Sequence, residues 1–162
     1  MIDFNELYLK RTKASDKQKS YVILALDPGN TTGFCIFDIT DGVPRLKDYG
    51  QITTVKDDII QWDSLTKFFD EHFFNIMVCE NYRIYQQKLE RHSFSPVLTL
   101  RLIGGIEYYA SIHEVPIHYQ MASQAKAFVT DEKLRHWEFY QEGMKHCRDA
   151  IRHAIYFMLF HK

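Results

Sequence analysis

The sequence predicts an α/β protein with a five-stranded mixed sheet and helices on both faces. Two observations lead to this fold class. Residues 21–54 contain three strand-like segments joined by short turns, which is typical of an antiparallel meander. Residues 58–160 then alternate segments of helical spacing with short apolar runs, which is typical of β-α-β crossovers and parallel pairing.

The three strands of the meander are each bounded by turn residues. Residues 21–26 form a continuous run of apolar β-formers, as expected of a central strand buried on both faces, and residues 27–30 (DPGN) end it with a strong turn signal. Residues 33–39 form the second segment, and Asp41-Gly42 after it is typical of a hairpin turn. Residues 45–54 alternate loosely and form the third strand.

The crossovers follow from the spacing of apolar residues in the second part of the chain. Short apolar runs predict the fourth and fifth strands over residues 76–80 and 115–119. Helical spacing predicts helices over residues 58–73, 96–113, 123–129 and 145–160. Residues 1–20 are polar and charge-rich, so we expect a short arm outside the core, followed by one domain over residues 21–162.

The composition bears on whether the protein binds nucleic acid, spans a membrane or is secreted. Lys plus Arg is 20 and Asp plus Glu is 21 in 162 residues, giving a net charge of −1, without the basic surplus usual in nucleic-acid binders. No apolar stretch is long enough for a membrane span, and no secretory signal is visible. The odd number of widely spaced cysteines (Cys35, Cys79 and Cys147) favours a reducing, cytoplasmic location.

Acidic residues fall at the ends of two predicted strands. Asp27 ends the first and Glu80 ends the fourth, while His146 and Asp149 share one face of the final helix. Buried acids are costly unless paired, and Mg²⁺ prefers carboxylate oxygens. Two such ions about 3.5–4 Å apart can hold the attacking and leaving oxygens of a phosphodiester. The sequence therefore indicates a metal site for phosphodiester hydrolysis.

Each of these residues also has an ordinary structural interpretation. Asp27 fits a turn or cap, Glu80 a salt-bridge partner, and the His146–Asp149 pair a solvated helix face. His153 extends the same stripe four residues after Asp149, where we expect it to pack or to support the ligands from behind. The constellation is stronger than any single member.

Five segments carry a family resemblance: residues 23–33 (ILALDPGNTTG), 78–80 (VCE), 98–106 (LTLRLIGGI), 116–126 (PIHYQMASQAK) and 146–150 (HCRDA). Taken together over residues 21–160, they resemble the RuvC-type Holliday junction resolvases of the ribonuclease H-like superfamily, in particular the RuvC-like endonucleases of bacteriophages. The arm before the first strand and the residues after Glu80 depart from the pattern of that family.

The resemblance implies a ribonuclease H-like fold and a homodimeric enzyme that makes paired nicks across a four-way DNA junction, leaving 5′-phosphate and 3′-hydroxyl ends. It makes Asp27, Glu80, His146 and Asp149 the catalytic and metal-binding set, with two Mg²⁺ ions per site and Mn²⁺ as a substitute. A phage-encoded enzyme of this kind would act in the bacterial cytoplasm of its host. Asp27 is then the bridging ligand, and His146 either ligates metal or moves a proton.

Basic and aromatic residues interleave over residues 82–101, which predicts contacts with phosphates and an unpaired base. The candidate DNA-binding residues are Tyr82, Arg83, Tyr85, Lys88, Arg91 and, from a later segment, Lys126. A solvated loop with core anchors is the alternative for this stretch, and an ordinary surface lysine is the alternative for Lys126. The apolar stripe within residues 96–113 fits either the core or, by resemblance, part of a dimer interface.

Two other functions remain open from the sequence. A nuclease of the same fold could cut flaps, three-way branches or RNA–DNA hybrids with the same acids. A non-catalytic binder of DNA structures could be built on the same fold, although a scaffold has no physical need for clustered acids that face phosphates.

Overall fold

The computed structural model describes residues 1–13, 19–82 and 95–161. Its strands are β1 (Tyr21–Asp27), β2 (Thr31–Thr40), β3 (Val43–Thr53), β4 (Val55–Lys56), β5 (Ile59–Ile60), β6 (Ile76–Glu80) and β7 (Ile117–Gln120). Its helices are α1 (Phe4–Arg11), α2 (Trp62–Glu71), α3 (Ser95–Ile112), α4 (Ala122–Phe128), α5 (Asp131–His136) and α6 (Lys145–Phe160).

Five strands form one mixed sheet in the order β3-β2-β1-β6-β7. β1 pairs antiparallel with β2 and parallel with β6, β2 pairs antiparallel with β3, and β6 pairs parallel with β7. The predicted five-stranded sheet, with its meander and its parallel half, is therefore confirmed. Asp41 and Gly42 both have positive φ at the β2–β3 hairpin, as a two-residue turn of this kind requires.

The central strand β1 divides the core into two parts, because successive side chains point to opposite faces of a sheet. Ile23 and Ala25 pack in one cluster with α1 and α6. Leu24 and Leu26 pack in the other with α2 and α3. All four side chains are fully buried, so the sheet carries helices on both faces, as predicted.

The expectation that residues 1–20 lie outside the core is wrong for α1. Asp3 caps this helix by accepting hydrogen bonds from the backbone amides of Asn5 and Glu6. Phe4 and Tyr8, four residues apart on one helix face, are 3% and 1% exposed within the core cluster of α6. The spacing of these two apolar residues indicates a helix with one buried face, but the polar composition of residues 1–20 as a whole conceals it.

Some element boundaries, and one helix, also differ from the predictions. Helix α2 begins at Trp62 rather than at residue 58, because Asp57 and Asp58 adopt positive φ and turn the chain into the β4–β5 hairpin. The fifth sheet strand begins at Ile117. Helix α5 was not predicted; Thr130 caps it through a hydrogen bond from the amide of Lys133.

Candidate active site

Two parallel strands bring the predicted acids to the same edge of the sheet. β1 ends at Asp27 and β6 ends at Glu80, and the register pairs Leu26 with Cys79 just before them. The carboxyl ends of neighbouring parallel strands are the usual place for a site in an α/β sheet. Asp27 is 6% exposed, and Glu80 is half-buried.

The first turn of α6 lies directly on β2, opposite Asp27. Gly33 pairs with Asp27 in the sheet, and a Cβ atom on Gly33 would come within 2.0 Å of the backbone carbonyl of His146. Only glycine allows this approach. The side-chain oxygen of Gln51 also accepts a hydrogen bond of 3.0 Å from the amide of His146. As a result, His146 Nδ1 lies 2.7 Å from Asp27 Oδ2.

Asp149, one turn further along α6, is paired with two positively charged side chains. The residue is 3% exposed. Lys126 Nζ of α4 lies 3.0 Å from Asp149 Oδ2, and the guanidinium of Arg152 donates to Asp149 Oδ1. A buried carboxylate needs such partners, because its desolvation is otherwise costly.

Glu80 is paired with a buried histidine. His153 is fully buried, and its Nε2 lies 3.0 Å from Glu80 Oε2. The other ring nitrogen, Nδ1, lies 3.2 Å from the side-chain amide of Gln120 on β7. His153 therefore connects Glu80 at the end of β6 to Gln120 at the end of β7.

The electrostatics of the site follow from burial and proximity. Burial raises the pKa of Asp27 to about 6, the hydrogen bond with His146 opposes the rise, and the charges of Glu80 and Asp149 add to it. Burial also acts to raise the pKa of Glu80, but the hydrogen bond and charge of His153, with smaller effects of Asp27 and Lys126, together outweigh it, so this pKa is lowered. The hydrogen bond with Asp27 raises the pKa of His146. Two coupled carboxyls with opposite shifts are typical of a functional site.

These residues line one open cavity of about 390 Å³. Its walls are formed by Asp27, Pro28, Gly29, Asn30, Thr31, Glu80, Tyr82, Thr99, Lys126, Lys145, His146 and Asp149. All four predicted catalytic residues therefore reach the same cavity, together with two predicted DNA-binding residues, Tyr82 and Lys126. The predicted residues Arg83, Tyr85, Lys88 and Arg91 lie outside the residues that the structure describes.

The three acids that line the cavity, Asp27, Glu80 and Asp149, are chemically suited to bind a hard divalent cation. Carboxylate oxygen is the ligand that such ions prefer. Within the described ranges, no group of three or more His, Cys, Asp or Glu side chains is arranged to hold a metal ion. Each acid is instead paired with a base of the chain itself: Asp27 with His146, Glu80 with His153, and Asp149 with Lys126 and Arg152.

Three residues at the site were not found from the sequence. Gln51 binds the first turn of α6 only through the tertiary fold, and no local pattern marks it. Lys145 precedes His146 and lines the cavity. Arg152 follows Asp149 by three residues, and this spacing alone could have revealed the pair.

Comparison of the sequence with known proteins finds no match, whereas comparison of the structure identifies the fold. No protein-family model matches the sequence, and no curated protein sequence is significantly similar to it. None of the helices in the described residues is long and apolar enough to cross a membrane.

Holliday junction resolvases are among the solved structures that are similar to this chain. They include RuvC of T. thermophilus in complex with a Holliday junction substrate (TM-score 0.63, 14% identity, 86% of this chain and 94% of that chain), the fowlpox virus Holliday junction resolvase (0.54, 12%, 85% and 96%) and the yeast mitochondrial Holliday junction resolvase (0.55, 12%, 96% and 82%). The chain has the ribonuclease H-like fold that these resolvases share.

Proposed function

We propose that this chain, which has the fold of the RuvC-type Holliday junction resolvases, is a divalent-metal-dependent endonuclease that resolves four-way DNA junctions. The observation that carries the proposal is the convergence of Asp27, Glu80, His146 and Asp149 on one open cavity at the ends of β1 and β6. Similarity of fold does not by itself assign a function, so the proposal rests on the chemistry of these side chains.

Asp27, Glu80 and Asp149 are the residues that would hold Mg²⁺, with Mn²⁺ as a substitute and two ions per site. Bound divalent ions supply a Lewis acid that lowers the pKa of water and offsets charge on the phosphodiester. Asp27 is central in this set, because its strand lies in the middle of the sheet and its pKa responds to both other acids. Its ionised form is the ligand, so proton and metal compete for it.

His146 either transfers protons as a general acid or base, or serves as an additional metal ligand. Its Nδ1 faces Asp27, and this hydrogen bond raises the pKa of the imidazole, which favours a ring that holds a proton near neutral pH. The protonated ring then donates at Nδ1 to Asp27, which leaves Nε2 as the nitrogen that would pass a proton to an oxygen in the cavity. Attack of water on phosphorus, with cleavage of the bond to the 3′-oxygen and transfer of a proton to that oxygen, would leave 5′-phosphate and 3′-hydroxyl ends.

Positive charge at the rim of the cavity favours contact with the DNA backbone. Lys126 and Lys145 both line it, and the predicted basic and aromatic residues after Tyr82 continue from the same edge in the sequence. Replacing Lys88 and Arg91 together with alanine should weaken junction binding and reduce the slope of log affinity against log salt by about 2. Unchanged affinity and slope would count against this surface.

A second copy of the chain is the expected partner, because paired nicks need two cavities. Helix α3 presents an apolar face with no described partner: Val97, Leu100, Tyr108 and Ile112 are 49%, 40%, 68% and 56% exposed. Their spacing of three, eight and four residues places them along one side of the helix. Several large apolar side chains exposed on one side of a helix are typical of an interaction surface.

A DNA-structure binder without cleavage is the second candidate. It is favoured by the internal pairing of every acid with a basic side chain, which gives each carboxyl group a partner without any metal. The distinguishing property is cleavage that depends on added Mg²⁺.

The substrate class is tested with four labelled DNAs and Mg²⁺: a four-way junction, a three-way branch, a linear duplex and an RNA–DNA hybrid. Cleavage of the four-way junction by paired nicks, with the others largely intact, supports the proposal. Equal cleavage of all branched forms would indicate a broader branched-DNA nuclease. Tight junction binding without cleavage in Mg²⁺ or Mn²⁺ would favour the binder.

A further inference from the structure

Arg152 joins three parts of the fold behind the cavity. Its side chain is 11% exposed. The Nη1 group donates to Asp149 Oδ1 on the same helix, and Nη2 donates to Asp131 Oδ1 at the start of α5. The third nitrogen, Nε, donates a hydrogen bond of 3.0 Å to the backbone carbonyl of Val129, directly after α4. All three nitrogens of the guanidinium are therefore engaged.

These contacts give the two oxygens of Asp149 different partners. Oδ1 is occupied by Arg152, while Oδ2 lies 3.0 Å from Lys126 Nζ. Lys126 belongs to α4, whose end Arg152 also holds through Val129. The guanidinium of Arg152 therefore contacts both Asp149 and the end of α4, the helix that carries Lys126.

Stability alone does not explain this arrangement. Arg152 lies on a helix whose neighbouring residues Ile151, Ala154 and Ile155 are fully buried and apolar. Replacing buried ion pairs with packed apolar residues is often neutral or stabilising, so such a network is weak evidence of a stabilising role. The planar fork of arginine does, however, fix the orientation of a carboxylate better than a single ammonium can.

We propose that Arg152 and Asp131 are positioning residues, which hold Asp149 so that its Oδ2, beside Lys126, is oriented toward the cation expected in the cavity. The inference rests on the proposed function. Loss of a hydrogen-bonding partner behind a metal ligand costs roughly 10- to 100-fold in metal affinity or activity. Asp131→Asn and Arg152→Lys should therefore weaken Mn²⁺ binding without DNA, and lower kcat, by about that range, with KM for the junction nearly unchanged.

The variants are chosen so that a structural effect can be recognised. Asp131 has a half-exposed side chain, so Asp131→Asn should fold, and Asp131→Glu, which keeps the carboxylate, should recover much of the lost activity. Asp3→Ala removes the cap of α1 and serves as the control for lost stability. It should lower Tm and leave kcat and Mn²⁺ affinity unchanged.

The decisive comparison is Asp131→Asn against wild type, by calorimetric Mn²⁺ titration, steady-state cleavage and a crystal structure of the variant. Wild-type Mn²⁺ affinity and kcat in Asp131→Asn, or a loss that merely follows Tm as in Asp3→Ala, would overturn the inference. A wild-type protein that neither binds Mn²⁺ nor cleaves junctions would overturn the proposed function instead. In that case the crystal structure still decides, because Asp149 in an unchanged orientation contradicts positioning by Asp131.

Discussion

His146 Nδ1 lies 2.7 Å from Asp27 Oδ2 although 119 residues separate them in the chain. The contact exists because Gly33, the partner of Asp27 in the sheet, has no side chain to keep α6 away. Gln51 then binds the amide of His146 from the next strand. Three neighbouring strands thus place one helix against one carboxyl group.

Gly33→Ala should displace α6 and damage the site. The added methyl group would meet the backbone of His146, which cannot move aside as a side chain could. We expect a loss of about 1–3 kcal/mol in the free energy of unfolding and loss of cleavage. Urea denaturation measures the first and a junction assay the second. Gly50→Ala is the matched strand control, since its methyl group meets only the ring of Phe34; equal effects of both variants would contradict the role of Gly33.

Asp27→Asn should stabilise the metal-free protein at neutral pH. Because burial raises the pKa of Asp27 from 3.8 to about 6, the folded protein binds more protons than the unfolded chain between these values. The contribution of Asp27 to stability therefore falls as the pH rises from about 4 to about 6 and stays low above that. At pH 7 we expect Asp27→Asn to raise the free energy of unfolding by about 1–3 kcal/mol.

The test is urea denaturation of both proteins from pH 4 to pH 8, with and without Mg²⁺. The difference should be smallest near pH 4, where the Asp27 carboxyl is protonated in the folded protein and about half protonated in the unfolded chain. Mg²⁺ should stabilise the wild type and have little effect on Asp27→Asn, because a ligand stabilises only the state that binds it. A less stable Asp27→Asn at pH 7 would contradict the pKa shift of Asp27.

His153→Leu should weaken the site through Glu80. The imidazole is fully buried and bonds Glu80 Oε2, so its loss leaves a partner unsatisfied, at a cost of about 1–3 kcal/mol. The pKa of Glu80 should rise, because His153 normally lowers it, and Mn²⁺ binding should require a higher pH. Calorimetric titration over a pH series measures this shift. His72→Leu removes a comparable pair with Asp48 outside the cavity; a shift of equal size there would contradict the assignment.

Replacing Tyr108 and Ile112 together with glutamate should prevent self-association through α3. Two charges on a buried apolar interface are costly to desolvate, whereas both side chains are exposed in the single chain and should not affect its folding. Analytical ultracentrifugation at micromolar concentration should show a wild-type dimer and a monomeric double variant. Phe73→Glu, at an exposed apolar position outside α3, is the control and should stay dimeric. A monomeric wild type would reject the interface.

The sheet could be predicted because its signals are local. The apolar run before Asp27 and the Asp41-Gly42 turn identify the central strand and the first hairpins, and strand ends place Asp27 and Glu80 together. The spacing of His146 and Asp149 identifies a shared helix face in the same way. Each of these signals lies within a few residues of the feature that it predicts.

The remaining features depend on tertiary contacts. Nothing near Gln51 in the sequence indicates that it binds the first turn of α6. The burial of Phe4 is hidden by the charged residues around it, and the contact of Arg152 with Asp131 joins two helices whose packing no local pattern specifies. The pKa shift of Asp27 likewise depends on its burial in the folded protein and, to a smaller extent, on the positions of Glu80 and Asp149.

The most direct measurement is single-turnover cleavage of a strand-labelled four-way junction by wild type and Asp27→Asn, each with and without Mg²⁺. The expected result is paired nicks by the wild type only when Mg²⁺ is present, and none by a folded Asp27→Asn that still binds the junction. Wild-type turnover in Asp27→Asn, or no cleavage by wild type in either Mg²⁺ or Mn²⁺, would contradict a metal-dependent resolvase centred on Asp27.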